Sequence, residues 1–77
     1  MPTVIIINGY RFFFYSNEGN EPIHIHIEKA DGVAKVWLVP VRVDYFHGFT
    51  SRQQKEIIDL TNQNKELFIK KWNEYFS

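Results

Sequence analysis

The chain has 77 residues, nine basic and nine acidic, with seven Phe, four Tyr, two Trp and no cysteine. That length sets a single domain over residues 1–77 with a thin core, since a domain of this size buries only about 60% of its unfolded surface. Balanced charge leaves nucleic acid as a partner that net charge does not support, and the lack of cysteine excludes disulfides and thiolate ligands.

The opening "MPTVIIING" has no basic leader and only a short apolar run, Val4 to Ile7. It reads as neither a signal peptide nor a membrane span, so residence is expected to be cytoplasmic, with no membrane association. Asn8-Gly9 stands between "VIII" and "YRFFFY", and Asn-Gly supplies the two positive-φ residues of a hairpin turn. That turn sets Ile7 opposite Tyr10, Ile5 opposite Phe12 and Thr3 opposite Phe14. Both faces of the hairpin are then largely apolar and need cover on both sides. This is the first reason to expect a homodimer or a protein partner.

"SNEGNEP", residues 16–22, reads as a polar loop closed by proline. The next strand, "IHIHIEK", leads into Asp31-Gly32, a second hairpin signal. Centred there, Glu28 faces Lys35, Ile27 faces Val36, His26 faces Trp37 and Ile25 faces Leu38. Alternation puts Ile23, Ile25, Ile27, Ala34, Val36 and Leu38 on the core face. His24, His26, Glu28, Lys35 and Trp37 fall on the other. "VRVDYF", residues 41–46, is a fifth strand after Pro40, with Val41, Val43 and Tyr45 inward. His47-Gly48 ends it.

Thr50 with Gln53 is a capping box. Ile57, Ile58 and Thr61 share a helix face. Asn64 can cap a further helix, in which Phe68, Ile69, Trp72, Tyr75 and Phe76 form an apolar stripe. The expected architecture is α+β. Strands over 1–47 form an antiparallel meander of about five strands in two hairpins. A helical segment over 50–76, one kinked helix or two, packs on the sheet.

Three chemistries suit His24 and His26. As metal ligands, two imidazoles at i and i+2 point the same way, and Glu28 continues the row as a two-histidine, one-carboxylate set. Three residues in line along one strand span about 13 Å, so His47, Asp44 or another chain would have to complete such a site. As catalytic groups, His24 and His26 supply an acid or base near neutral pH. Lys35 or Arg42 would be the binding cation and Trp37 a stacking surface. As an ordinary strand face, they are solvated, with Glu28 and Lys35 as a weak cross-strand ion pair. No cofactor is expected, although a divalent metal would fit the first chemistry. In the packed readings His26, opposite Trp37, is the better-held ring and His24 the looser one.

The stretch "FFFYSNEGNEPIHIHIEKADGVAKVWL", with the closing "NKELFIKKWNEYF", resembles a bacterial family, domain of unknown function 4160. Members start "MPT", carry a polar loop of the N-E type and a P-x-H-x-H core, and close with a helix bearing E-L and W. Pro22, His24 and His26 correspond to that core. Ile23 stands where many members have a second proline, and Glu18-Gly19-Asn20 where some have a further histidine. The resemblance implies a bacterial cytoplasmic protein. It also implies a partner, because members are often encoded beside another small protein in a toxin–antitoxin-like arrangement. It implies no reaction. Two functions from different classes are therefore expected: an interaction component of such a two-gene unit, or a small histidine-dependent or metal-dependent nuclease-like enzyme.

Overall fold

Asn8 and Gly9 have φ of 52° and 81°, the left-handed pair that joins two strands with the right twist. The structure, a computed structural model, describes residues 3–77; the first two residues of the expected opening strand lie outside that range. Strand β1 (Thr3–Ile7) pairs antiparallel with β2 (Tyr10–Phe13). Ile7 is opposite Tyr10 and Ile5 opposite Phe12, as the turn requires, but an irregularity between Thr3 and Ile5 sets Thr3 opposite Phe13 instead of Phe14.

The second hairpin joins β3 (His24–Lys29) to β4 (Gly32–Leu38). Its loop is Ala30-Asp31, with Ala30 at φ 51°, one residue earlier than the expected Asp31-Gly32. Every partner therefore moves by two: His24 is opposite Trp37, His26 opposite Lys35, Ile25 opposite Val36 and Ile27 opposite Ala34. A shift of two keeps the faces that a shift of one would exchange. Gly32 serves packing here, not the turn. The Phe49 ring lies over it so closely that a Cβ would sit 2.5 Å from Phe49 Cε1.

Strand β5 (Val41–His47) completes a sheet in the order β1-β2-β3-β4-β5. Val41 and Val43 pack on the core as expected. An irregularity beside Asp44 then puts Lys35 opposite Tyr45 and Ala34 opposite Phe46. Phe46 therefore turns inward, and Tyr45 is left 43% exposed.

Helix α1 (Ser51–Gln63) begins at the Thr50–Gln53 capping box, whose reciprocal hydrogen bonds measure 3.1 and 2.9 Å. It is followed by α2 (Lys65–Tyr75) after the single residue Asn64. There are two helices, but Asn64 does not cap the second with its side chain; its Nδ2 donates back to the Leu60 carbonyl at 2.9 Å. Ile57, Leu60, Phe68 and Trp72 pack in one cluster with Tyr10, Phe12, Ile25, Ile27, Ala34, Val36 and Leu38. Phe12 and Phe68 stack at 5.1 Å. No helix among the described residues is long and apolar enough to cross a membrane.

The face of the sheet away from this core carries Arg11, Phe13, His24, His26, Glu28, Lys35 and Trp37. The β2–β3 connection, residues 14–23, covers its centre. Tyr15 sits on His26 at 4.8 Å and on Phe13 at 5.3 Å, and Glu21 binds Lys35 at 3.0 Å. Part of the second cover that the apolar hairpin demands is thus supplied by the chain itself. Ile6, beyond the connection's reach, is 65% exposed.

Candidate functional site: a glutamate that joins two histidines

Strand alternation sends His24 and His26 to the same face, and the connection brings Glu18 down between them. Glu18 Oε1 lies 2.9 Å from His24 Nε2 and 3.0 Å from His26 Nε2, and Oε2 lies 3.1 Å from His26 Nε2. A local turn aims the carboxylate. The Glu18 amide donates to the Tyr15 carbonyl at 3.3 Å, and the Tyr15 amide donates to Glu18 Oε1 at 3.1 Å. On its far side, His24 Nδ1 is 2.9 Å from the carbonyl oxygen of Pro22.

The expected solvated strand face is instead a packed one. His24 is fully buried and His26 is 7% exposed. His24 meets Trp37 at 5.3 Å, Trp72 at 4.9 Å and His26 at 5.1 Å, each ring edge to face. His26 stacks on Phe13 at 5.5 Å. His24, not His26, therefore lies opposite Trp37 and is the more enclosed ring.

Burial alone would raise the Glu18 carboxyl, but the hydrogen bonds from His24, His26 and the Tyr15 amide hold it below the ordinary glutamate range. For His26, burial dominates and pushes the imidazole below its usual value, with Glu18 pulling the other way and His24 and Lys35 adding to the decrease. Uncharged His26 beside ionised Glu18 is the result.

Other residues singled out in the sequence are placed elsewhere. Glu28 binds Arg11 at 2.7 Å, with its side chain 41% exposed, and takes no part in the histidine cluster. The expected Glu28–Lys35 pair is absent; Lys35 reaches Glu21 at 3.0 Å and Asp44 at 3.8 Å. The Lys35 ammonium also lies 4.4 Å over the Trp37 ring. Trp37 and Arg42 come together with Pro22, Ile23, Val39 and Pro40 around a cleft of about 210 Å³. His47 ends β5 in solvent. Two further clefts lie elsewhere. One, of about 640 Å³, is bounded by charged residues of α1 and by Lys29. The other, of about 390 Å³, runs beside β1 between Thr3, Val4, Phe14, Lys71, Glu74 and Tyr75. His24 and His26 line none of the three.

Glu18 is the member that sequence reasoning missed. A loop residue has no periodicity to place it. Two signals were available: Glu18-Gly19-Asn20 stands where some members of the resembled family carry a further histidine, and a strand apolar on both faces is followed by a polar connection long enough to fold back over one of them. Glu18, His24 and His26 together bring three ligand atoms within 4.8 Å of one another, which Glu28 was expected to do.

The model of a family described as Domain of unknown function (DUF4160) matches residues 9–73, nearly the whole chain. No curated protein and no solved structure matches it.

Proposed function

The chain belongs to the DUF4160 family, and we propose that it is an interaction module: a bacterial, cytoplasmic component of a two-gene, toxin–antitoxin-like unit whose β1 edge takes up an extended strand of its partner protein. The observation that carries this reading is the contrast between the two edges of the sheet. Edge strands expose unpaired backbone donors and acceptors and are normally blunted by charge, proline or distortion. At β5 the edge has Arg42 and Asp44 and is distorted at Asp44. In β1, Thr3–Ile7 carries neither charge nor proline. Its irregularity is confined to Val4, leaving Ile5 to Ile7 regular.

Ile6, at 65% exposure, projects from that edge, and the 390 Å³ groove beside β1 offers both charges and the half-exposed Tyr75 to an incoming chain. Strand addition uses these features: backbone hydrogen bonds give affinity and alternate side chains give specificity. The partner-gene arrangement implied by the family resemblance points the same way.

The test is co-expression with the product of the adjoining gene, followed by light scattering on the purified material. A complex is expected from the wild-type chain and none from Ile6→Lys, which puts an ammonium on the edge. An exposed substitution of this kind changes stability by no more than about 0.5 kcal/mol, so the variant remains folded. A complex indifferent to Ile6→Lys, or self-association alone, overturns the reading.

A second reading, the nuclease-like enzyme, is favoured by one observation. Trp37 and Arg42 share an open cleft with Pro22, and Trp37 and the Pro22 carbonyl both touch His24. An aromatic face beside a guanidinium suits a nucleotide. Cleavage of short single-stranded RNA, lost in Arg42→Gln with the fold intact, would move the function to this side of the molecule.

A further inference from the structure

The hydrogen-bond arithmetic at His24 does not close with a neutral ring. An imidazole without charge has one N–H and one bare nitrogen. The Pro22 carbonyl can only accept, so the proton belongs on Nδ1, 2.9 Å away. His24 Nε2 is then bare, yet it faces Glu18 Oε1 at 2.9 Å, and an ionised carboxylate has no proton to offer. Two lone pairs cannot lie at that separation in a buried place without positive charge between them. His24 has no solvent exposure and Glu18 little. Either a proton held between the two atoms or a cation supplies the charge.

We propose that Glu18, His24 and His26 bind one divalent transition-metal ion of the zinc class, through Glu18 carboxylate oxygen and the Nε2 atoms of both histidines. The site stands apart from the β1 edge and does not depend on it. Two imidazoles and one carboxylate suit Zn²⁺ and its neighbours better than Mg²⁺ or Ca²⁺, which take oxygen ligands. Tetrahedral coordination at ~2.0–2.1 Å sets ligand atoms about 3.3 Å apart. The oxygen-to-nitrogen separations of 2.9 and 3.0 Å have to widen by a few tenths of an ångström, and the two histidine nitrogens, within 4.8 Å of each other, draw together toward the same spacing.

The surroundings are those of an oriented ligand set. A metal-bound histidine almost always donates its other N–H to a carbonyl or carboxylate, which fixes the tautomer; the His24–Pro22 contact does this. Trp37 and Trp72 hold the His24 ring, and Phe13 and Tyr15 hold that of His26. The exchange balances. Without an ion, one proton between His24 Nε2 and Glu18 Oε1 and one on His26 Nε2 satisfy the same contacts. On binding, the proton between His24 and Glu18 leaves to solvent, that of His26 is replaced by one on Nδ1, and the two Nε2 lone pairs go to the ion. Three protein ligands leave the remaining position to water or to an outside group, as in open zinc sites.

The experiment uses the full chain without a histidine tag, stripped with a chelator and titrated with ZnCl₂ by calorimetry and with CoCl₂ by visible absorption. One ion per chain is expected, with the absorption of four-coordinate cobalt. Glu18→Gln is expected to weaken Zn²⁺ binding by at least about 10–100-fold, since even a residue that only orients a ligand is worth that much. Glu28→Gln binds as the wild type does. Should Glu18→Gln fail to fold, the ring ¹⁵N signals of the wild-type chain decide: Zn²⁺ moves the Nε2 resonances of His24 and His26 and leaves His47 in place. A chain that takes up neither ion overturns the proposal. So does binding that survives Glu18→Gln, is lost in Glu28→Gln, or moves only His47. A His24 ring that keeps both N–H protons in the presence of Zn²⁺ makes the cluster an ion-paired anchor for the connection and also overturns it.

Discussion

The His24 ring is enclosed by residues far apart in sequence: Trp37 from the neighbouring strand, Trp72 from the last helix and Glu18 from the connection. A reading by strand register alone sees only the cross-strand neighbour, and so favours His26 as the fixed ring. The tertiary contacts reverse that order. Trp72 is the residue that ties these parts together, touching Phe14 at 5.5 Å, His24 at 4.9 Å and Phe76 at 4.5 Å while only 5% exposed. Truncating a buried Trp to Ala removes its transfer free energy and leaves a cavity, about 3–5 kcal/mol together. A small domain holds on the order of 5–15 kcal/mol in all. Trp72→Ala is therefore expected to lower the midpoint of urea unfolding sharply or to leave the chain unfolded at 37 °C. An unchanged midpoint would show that the helix does not lean on this ring.

Among the elements, those governed by periodicity and turn chemistry were legible. Five strands in a meander follow from alternation and two turn signals, and α1 starts where the capping box puts it. The hairpin register slipped by two because Gly32 reads as a turn residue, while its bare Cα is used by Phe49; the face assignment survived because the error was even. The irregularities at Val4 and Asp44 leave no mark in composition, and the second moved the inward position from Tyr45 to Phe46. For the site, the two histidines were legible and their carboxylate partner was not, because it arrives on the β2–β3 connection. That connection is held at one further point. A Cβ on Gly19 would lie 2.5 Å from Phe76 Cδ1, and Phe76 is itself packed on Trp72 and Phe14. The ring has little room to withdraw, so Gly19→Ala acts as overpacking and is expected to cost about 1–3 kcal/mol. The displacement falls one residue from Glu18, so loosened His24 and His26 ring signals should accompany the lowered melting temperature. A melting temperature equal to or above that of the wild type would mean that the connection does not rest on α2.

For the molecule as a whole, formal charge is zero, and pairs such as Arg11–Glu28 and Lys71–Glu74 are too exposed to carry much stability. The response to acid should come instead from the buried cluster. Glu18 and His26 are both held below their ordinary ranges in the folded chain. Each therefore binds its proton more readily when unfolded, and stability rises with pH wherever the unfolded state carries more protons. For His26 that stability is present above its unfolded value, about 6.5, and fades as pH falls below it; for Glu18 the corresponding loss begins near 4.3. Metal-free protein should accordingly lose unfolding free energy between pH 7 and pH 5, and again toward pH 3. Glu18→Gln separates the two contributions. It removes the carboxylate that draws the His26 value upward, so the decline between pH 7 and pH 5 steepens, while the loss specific to Glu18 near pH 4 disappears. Chemical denaturation at half-unit pH intervals measures both slopes. Stability that is flat or rises from pH 7 to pH 5 would mean that His26 is not held uncharged against the sheet.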